Sequence, residues 1–220
     1  MKFTSFAPLG LLVSMTAAAP ALTPEKIDAL AALAARSADL AKDALAKRAC
    51  SDVTIIFARG TTENGTIGTL VGPPFLSAVQ SKVPSGMTVT MQGVPYPADI
   101  PGFLAGGDPT GSKTMASMVT SALAACPSTK LVMSGYSQGG QLVHNAASML
   151  STSTMSQVSS VVIFGDPDYP KPVANIAASK VMVICHTGDN ICQGGDLILP
   201  AHLTYGADAP TAAAFVVSQF

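Results

Sequence analysis

The stretch VMSGYSQGGQLV, residues 132–143, holds a serine between two glycines where an apolar run gives way to a helical pattern. Its pentapeptide GYSQG fits the pattern G-x-S-x-G of a sharp strand-to-helix turn. Such a turn strains the serine backbone and projects the hydroxyl above a sheet, while the glycines leave room that a Cβ would fill. The spacing therefore predicts that Ser137 is a nucleophile; a glycine-rich turn without chemistry is the alternative.

A serine hydroxyl is a poor nucleophile at neutral pH until a base accepts its proton, and histidine commonly supplies that base. The chain has three histidines. His144 follows Ser137 on the same predicted helix, about two turns along its axis, and cannot fold back onto the hydroxyl. After such a turn the partners follow in the order serine, acid, histidine, which favours His202 as the base. His186 is the alternative.

The acid that orients the base has two candidates. Asp166 follows the fourth apolar run, and Asp189 lies between Cys185 and Cys192. A short loop closed by a disulfide between Cys185 and Cys192 would restrict the movement of Asp189 more than the proline turn restricts that of Asp166. We therefore predict that Asp189 is the acid and that Asp166 is an ordinary turn residue.

The remaining requirement is an oxyanion hole. The segment ARGTTENGT follows the first apolar run. We expect this strand to lie beside the strand that ends before Ser137, at the switch point of the sheet, where ligands bind outside the carboxyl ends of the strands. The backbone N–H groups of Thr61 and Gln138 can then converge on the developing oxyanion, and the Thr61 hydroxyl can add a third donor. A polar turn is the alternative for this segment.

The elements that must position these residues are five short β-rich runs separated by segments of helical length. The runs are Val53 to Ala58, Thr88 to Gly93, Lys130 to Ser134, Ser160 to Phe164 and Lys180 to Cys185. Helical patterns include Ser112 to Ala125 and Gln138 to Leu150, whereas the segment from Pro170 to Ser179 is interrupted by Pro172. This alternation predicts an α/β fold with a parallel sheet of order 2-1-3-4-5, covered by helices on both faces.

The first residues have the pattern of a targeting segment. Lys2 precedes an apolar stretch around Leu9 to Met15 that is too short to span a bilayer, and TAAAP offers small residues for cleavage. We predict a signal peptide over residues 1–18 and therefore a secreted, extracellular protein. A buried N-terminal helix is the alternative.

Residues 19–48 are rich in alanine, show helical spacing and end in the basic pair Lys47 and Arg48. We predict a propeptide helix removed after this pair, with an ordinary surface helix as the alternative, and one domain over residues 49–220. The whole chain has 12 basic and 13 acidic residues, a formal charge of −1. This balance gives no support to nucleic-acid binding.

In a secreted protein the four cysteines are expected to be oxidised, because disulfides form and persist in oxidising environments. In a parallel sheet Cys50 and Cys126 both precede strands and lie at one edge, whereas Cys185 and Cys192 follow a strand and lie at the other. The pairing that needs least distortion joins Cys50 to Cys126 and Cys185 to Cys192.

Three motifs resemble those of the fungal cutinases. CSDVTIIFARGTTENGTIGTLVGPPF resembles the first strand and oxyanion loop of that family, GYSQGGQLVHNA its nucleophile elbow, and CHTGDNICQGGDLILPAHLTYG its acid loop and histidine. The resemblance runs from about Cys50 to the C-terminus and implies a minimal α/β-hydrolase fold, without lid, metal or cofactor. It also implies the same two disulfides and the same site: Ser137, Asp189 and His202, with Thr61 and Gln138 at the oxyanion hole. Some members carry serine where this chain has Thr61.

The resemblance implies hydrolysis of cutin, related aliphatic polyesters and short to medium acyl esters through an acyl-enzyme. Leu197, Ile198 and Leu199 are expected to form an apolar rim for a polyester surface, with core packing as the alternative. We expect a monomer with no nucleic-acid or membrane partner. An acetylxylan-type esterase, a lipase, a serine peptidase or an inactive surface-binding module on the same scaffold are the other possibilities.

Overall fold

The computed structural model describes residues 23–26, 28–29, 31–33, 35–36 and 50–220. In the first part, the described residues from 24 to 36 are helical and exposed. The predicted signal peptide and the basic pair Lys47 and Arg48 lie outside the described residues.

Five strands form one sheet in which every neighbouring pair is parallel. They are β1 (Val53–Ala58), β2 (Val89–Gly93), β3 (Lys130–Tyr136), β4 (Val158–Phe164) and β5 (Val181–Ile184). Their order is β2-β1-β3-β4-β5, so the predicted 2-1-3-4-5 sheet is confirmed. The central strands read as nearly continuous apolar runs because both of their faces are covered.

Helices cover both faces of this sheet, as predicted. They are α1 (Gly72–Lys82), α2 (Ile100–Leu104), α3 (Pro109–Ala125), α4 (Gln138–Met149), α5 (Thr152–Ser156) and α6 (Ala209–Ser218). On the face covered by α1 and α6, Phe75 packs edge-on against Phe164 with ring centroids 5.3 Å apart. On the face covered by α3 and α4, Met115 and Leu142 are fully buried. Two separate apolar cores therefore hold the sheet between helix layers.

The predicted elements differ from the observed ones in three respects. The segment from Pro170 to Ser179 contains no α-helix and ends in a 3₁₀ turn at Ala178–Lys180, because its prolines cannot donate backbone hydrogen bonds. The short helix α2 lies in a Pro- and Gly-rich stretch for which no helix was predicted, and the Asp99 carboxylate caps it by accepting from Gly102 N–H at 2.8 Å. The predicted ends of most strands are also displaced by one or two residues.

Both predicted disulfides are present. Cys50 and Cys126, whose Cα atoms are 5.6 Å apart, join the segments that lead into β1 and β3. Cys185 and Cys192, with Cα atoms 6.0 Å apart, close the turn that follows β5. Sheet direction was therefore sufficient to select the correct pairing.

Candidate active site

Ser137 lies at the sharp turn between β3 and α4. Its φ of 57° and ψ of −123° are angles that strain a residue with a side chain. A Cβ at Gly135 would lie 2.2 Å from the Gly139 carbonyl oxygen, and a Cβ at Gly139 would lie 2.0 Å from that of Ala58. The two glycines therefore let the helix begin directly against the strands, and the N–H of Ser137 is held by the Phe164 carbonyl at 3.0 Å.

The imidazole of His202 lies beside the Ser137 hydroxyl. Its Nε2 is 2.9 Å from Ser137 Oγ, and the side chain is 1% exposed. His202 lies in the 3₁₀ turn Pro200–Leu203. The Tyr136 hydroxyl donates to the backbone carbonyl of His202 at 2.8 Å, and the two rings stack with centroids 5.1 Å apart. The residue before the serine thus holds both the backbone and the ring of His202.

Asp189 lies on the other side of this imidazole. Its Oδ2 is 2.9 Å from His202 Nδ1 and accepts from the Tyr205 phenol at 2.6 Å, while Oδ1 accepts from the Ile191 N–H at 3.0 Å. Burial alone would raise the pKa of Asp189, but the hydrogen bonds from His202 and Tyr205 outweigh it and the pKa is lowered. An ionised Asp189 assigns the proton to Nδ1 of His202 and leaves Nε2 free to accept the serine proton.

The alternative acid and base are engaged elsewhere. Asp166 Oδ2 lies 2.9 Å from His144 Nε2, and both side chains are buried. His186 Nε2 lies 2.7 Å from Asp208 Oδ2, and its Nδ1 lies 2.9 Å from the Ala201 carbonyl oxygen. The two unused candidates therefore belong to hydrogen-bonded pairs of their own.

Thr61 and Ser137 line the same cleft, because the parallel register of β1 and β3 brings the ends of both strands together. The Gln138 side-chain Nε2 donates to Thr61 Oγ1 at 3.1 Å and to the Asp99 carbonyl at 2.6 Å. Since Thr61 Oγ1 is the acceptor in the first bond, its own proton stays available to a group in the cleft. The contact also fixes the rotamer of the Thr61 side chain and therefore the position of its hydroxyl.

The sequence analysis missed Glu63, which closes the loop that carries Thr61. Its Oε2 accepts from the Gly60 N–H at 2.8 Å, and its Oε1 accepts from the N–H groups of Thr69 and Leu70 at 2.8 and 2.9 Å. One carboxylate therefore satisfies three backbone donors from both ends of the loop. The only signal in the sequence was a single acidic residue within RGTTENG, a pattern equally typical of an exposed turn.

Tyr136 and Tyr205 were also missed as supports of the site. Burial raises the pKa of both phenols, so both hydroxyls stay protonated donors. Tyr205 follows His202 by three residues and Tyr136 directly precedes Ser137. A tyrosine at such spacing is usually a packing residue, and the spacing does not indicate what its hydroxyl contacts.

A cleft of about 470 Å³ lies above Ser137 and His202. Its other lining residues are Thr61, Thr62, Glu63, Leu70, Ile100, Phe103, Leu104, Tyr136, Asp196, Ile198 and Leu203. Of the three leucine and isoleucine residues expected at the rim, Ile198 lines the cleft, whereas Leu197 and Leu199 are exposed outside its lining. Ile100 and Leu104 of α2 add further exposed apolar surface at the same opening. Such a cluster around one cleft is typical of a binding surface.

Comparison with known proteins identifies the family. The family model described as Cutinase matches residues 49–220. A cutinase of Botryotinia fuckeliana is 68% identical over 77% of this chain and 83% of its own length, and a cutinase of Monilinia fructicola is 64% identical over the same shares. The chain belongs to the cutinase family. Membership places it among the serine carboxylic ester hydrolases.

Solved structures agree with the fold of this cutinase domain. A Trichoderma reesei cutinase, solved in complex with a phosphonate inhibitor, is 56% identical over 77% of each chain with a TM-score of 0.75. An acetyl xylan esterase is 25% identical and covers 77% of this chain and 99% of its own, with a TM-score of 0.63. Within the described residues, no helix has the length and apolar character needed to cross a membrane.

Proposed function

We propose that this cutinase is a secreted enzyme that hydrolyses cutin, related aliphatic polyesters and short to medium acyl esters. The observation that carries the proposal is the hydrogen-bonded chain from Ser137 Oγ through His202 to Asp189, which lies at the base of a cleft with an apolar opening. Ser137 is the nucleophile, His202 the general base and Asp189 the orienting acid.

The reaction follows from the position of the protons. His202 Nε2 accepts the Ser137 proton while Oγ attacks the ester carbonyl carbon, and the carbonyl oxygen becomes an oxyanion. The backbone N–H groups of Thr61 and Gln138 and the Thr61 hydroxyl donate to that oxyanion. The imidazolium then returns its proton to the leaving alcohol, leaving an acyl group on Ser137. Water, deprotonated by the same imidazole, releases the acid and restores the hydroxyl.

The apolar opening supports an extended acyl chain as the substrate. Leu104 and Ile198 are 67% and 54% exposed at the cleft, and Leu197 and Leu199 extend the exposed apolar surface beyond it. A polymer surface can bury these side chains, whereas a soluble acetyl ester cannot cover them. The rim therefore contributes to binding of the polyester more than to the chemical step.

An acetylxylan-type esterase is the second candidate, because a structure of that class is similar over nearly its full length. Hydrolysis of p-nitrophenyl acetate, butyrate and palmitate, measured beside release of monomers from cutin, separates these activities. We expect cutin hydrolysis with butyrate above palmitate; a strict preference for acetate without release from cutin would contradict the polyester proposal.

A rim variant tests the role of the opening directly. Leu104→Ser should lower the rate on cutin several-fold while leaving p-nitrophenyl acetate hydrolysis nearly unchanged. Met149→Ser is the matched control, because Met149 is 51% exposed at the far end of α4, about 18 Å along the helix from Ser137. Equal losses for the two variants on cutin would show that the rim has no special part in surface binding.

The export and processing of the chain belong to the same proposal. Residues 1–18 act as a signal peptide, residues 19–48 as a propeptide, and the mature domain is a monomer over residues 49–220. The two disulfides support an oxidising destination. Intact mass and light scattering of the secreted protein test these points, and a mature chain that still carries Leu22 would contradict the processing.

A further inference from the structure

His186 makes two hydrogen bonds that only one protonation state can satisfy together. Its Nδ1 lies 2.9 Å from the Ala201 carbonyl oxygen, and its Nε2 lies 2.7 Å from Asp208 Oδ2. A carbonyl and an ionised carboxylate both accept hydrogen bonds and cannot donate them. Both ring nitrogens must therefore carry a proton for these two bonds to form together, so the geometry favours the imidazolium. The Thr204 hydroxyl, 3.2 Å from Nδ1, is a third polar neighbour that can donate or accept.

The surroundings of His186 favour this charged form. Burial alone would lower its pKa, but the hydrogen bond to the Ala201 carbonyl and the carboxylate of Asp208 outweigh that effect, and the pKa is raised above its usual 6.5. The ionisable groups that face the ring are Asp208, the more distant Asp189 and the phenol of Tyr205. No cation is found among these neighbours, and both carboxylates favour the protonated ring.

The same residue is hydrogen-bonded to Asp189 and to the residue that precedes His202. Ala201, which accepts from the His186 ring, directly precedes His202. The His186 ring stacks on the Tyr205 ring with centroids 4.0 Å apart, and its backbone N–H donates at 2.8 Å to the Tyr205 hydroxyl, which in turn donates to Asp189. The carbonyl of His186 also accepts from the Asp189 N–H at 3.0 Å.

We propose that His186 is a positioning residue: as an imidazolium it ties the end of β5 to the segment that carries His202, and catalysis weakens when it loses its proton. The neutral ring has one proton for two acceptors, so one of the two hydrogen bonds that form this clamp, to Ala201 or to Asp208, is lost. When Nδ1 is bare, the Thr204 hydroxyl can donate to it in place of the bond to Ala201. The inference rests on the proposed roles of His202 and Asp189. Deprotonation of His186 would make activity fall at alkaline pH, an effect that His202 and Asp189 do not themselves produce.

The sign of the effect follows from the raised pKa. The clamp is fully present below the unfolded value of 6.5 and is lost as the pH rises through the higher folded pKa of His186. Asp208→Asn keeps the shape of the side chain but removes its charge. It should therefore lower the pKa of His186, because the adjacent negative charge that favours the imidazolium is lost.

The test compares Asp208→Asn with Asp168→Asn, a control whose side chain is 26% exposed against 29% for Asp208 and which also faces a basic group. The pKa of His186 is read from its ring ¹H–¹⁵N signals, and kcat and KM for p-nitrophenyl butyrate are measured from pH 6 to 10. We expect the alkaline fall in kcat to move to lower pH together with the pKa of His186 in Asp208→Asn, with KM nearly unchanged. The control should leave both where they are in the wild type.

A fall in the pKa of His186 with no movement of the alkaline limb would overturn the proposal. A second variant, His186→Asn, has no proton to lose in this range and should have a lower kcat without the wild-type alkaline fall; an unchanged kcat would also overturn it. The proton between His202 Nδ1 and Asp189 gives a readout apart from activity, and its low-field signal should shift as His186 titrates. Activity that survives in Ser137→Ala would instead refute the proposed triad.

Discussion

Two fully buried histidine–aspartate pairs lie at the same edge of the sheet, and their geometry is nearly the same. His202 and Asp189 are 2.9 Å apart with side chains 1% and 0% exposed, and His144 and Asp166 are 2.9 Å apart with side chains 2% and 0% exposed. The second ring nitrogen separates them. Nε2 of His202 reaches Ser137 Oγ, whereas Nδ1 of His144 has no hydrogen-bond partner among the described residues. A buried pair is therefore not a catalytic pair until a nucleophile lies at the free nitrogen.

Their positions in the chain account for the difference. His144 faces inward from α4, the helix that begins at Ser137, so the rigid helix keeps it away from the hydroxyl. His202 comes from a late loop that has no such constraint. The pair built on the helix serves packing, and the pair assembled from two loops reaches the cleft.

Removing each histidine should give the largest contrast between the pairs. His202→Ala should lower kcat on p-nitrophenyl butyrate by on the order of a millionfold, as loss of the base does in serine hydrolases. His144→Ala should leave kcat within a few-fold and instead lower the free energy of unfolding by about 3 kcal/mol, because Asp166 loses its buried partner. Kinetics and urea unfolding of both variants measure this; a comparable loss of kcat in folded His144→Ala would contradict the assignment.

Changing each acid should give the next largest contrast. Asp189→Asn should lower kcat about 10⁴-fold, because an amide no longer fixes the imidazole proton on Nδ1. Asp166→Asn should stay within tenfold of the wild type. Steady-state kinetics on folded protein, checked by circular dichroism, decide between them, and the reverse ranking would make Asp166 the orienting acid.

The loop that carries Thr61 distinguishes the two pairs further, because Thr61 lines the cleft together with His202 and not with His144. Thr61→Ala removes a hydroxyl donor but keeps the backbone N–H, so kcat should fall by up to about a hundredfold. Thr61→Ser should recover most of the rate. Thr62→Ala is the matched control, because the neighbouring Thr62 hydroxyl donates only to the Thr61 carbonyl. Equal rates for all three variants and the wild type would remove the Thr61 hydroxyl from the mechanism.

The smallest expected effect concerns Tyr205, whose hydroxyl donates to Asp189. Among the described residues, no side-chain hydroxyl donates to Asp166 in the other pair. Tyr205→Phe removes a hydrogen bond that helps to lower the pKa of Asp189 and should reduce kcat about tenfold, the loss of roughly 1.4 kcal/mol. The stability that Asp189 contributes is present above its unfolded pKa of 3.8 and is lost as the pH falls through the lower folded value.

Acid unfolding of Tyr205→Phe should therefore begin at a higher pH than in the wild type. Tyr169→Phe provides the control, because Tyr169 is 50% exposed. Acid titrations followed by circular dichroism compare the two variants. An unchanged acid transition in Tyr205→Phe would mean that the phenol does not support the ionised carboxylate.

Much of the fold could be predicted because the signals are local. The five apolar runs, the glycines around Ser137 and the direction of the strands together lead to the sheet order and to both disulfides. The order serine, acid, histidine in the chain selected His202, and the disulfide-closed loop favoured Asp189 over Asp166. The structure places His202 against Ser137 and Asp189 against His202. Their catalytic roles remain predictions.

The supports of the site could not be predicted in the same way. Glu63, Tyr136 and Tyr205 act through hydrogen bonds to backbone or carboxylate groups in other segments, and such contacts leave no periodic pattern in the sequence. The short helix α2 depends on a cap at Asp99 within a run of glycines and prolines that favours turns. The segment after Pro170 had helical length, but a proline within it lacks the backbone N–H that a helix needs, and no α-helix forms there.

The most direct measurement is peptide mapping after reaction with a p-nitrophenyl alkylphosphonate, which transfers its phosphonyl group to an activated serine. One equivalent of adduct on the peptide that contains Ser137, formed rapidly by the wild type and by Asp166→Asn but very slowly by His202→Ala, is the predicted result. A fully active enzyme labelled at another residue, or labelling of Ser137 at the same rate without His202, would contradict the proposal that these two side chains act together.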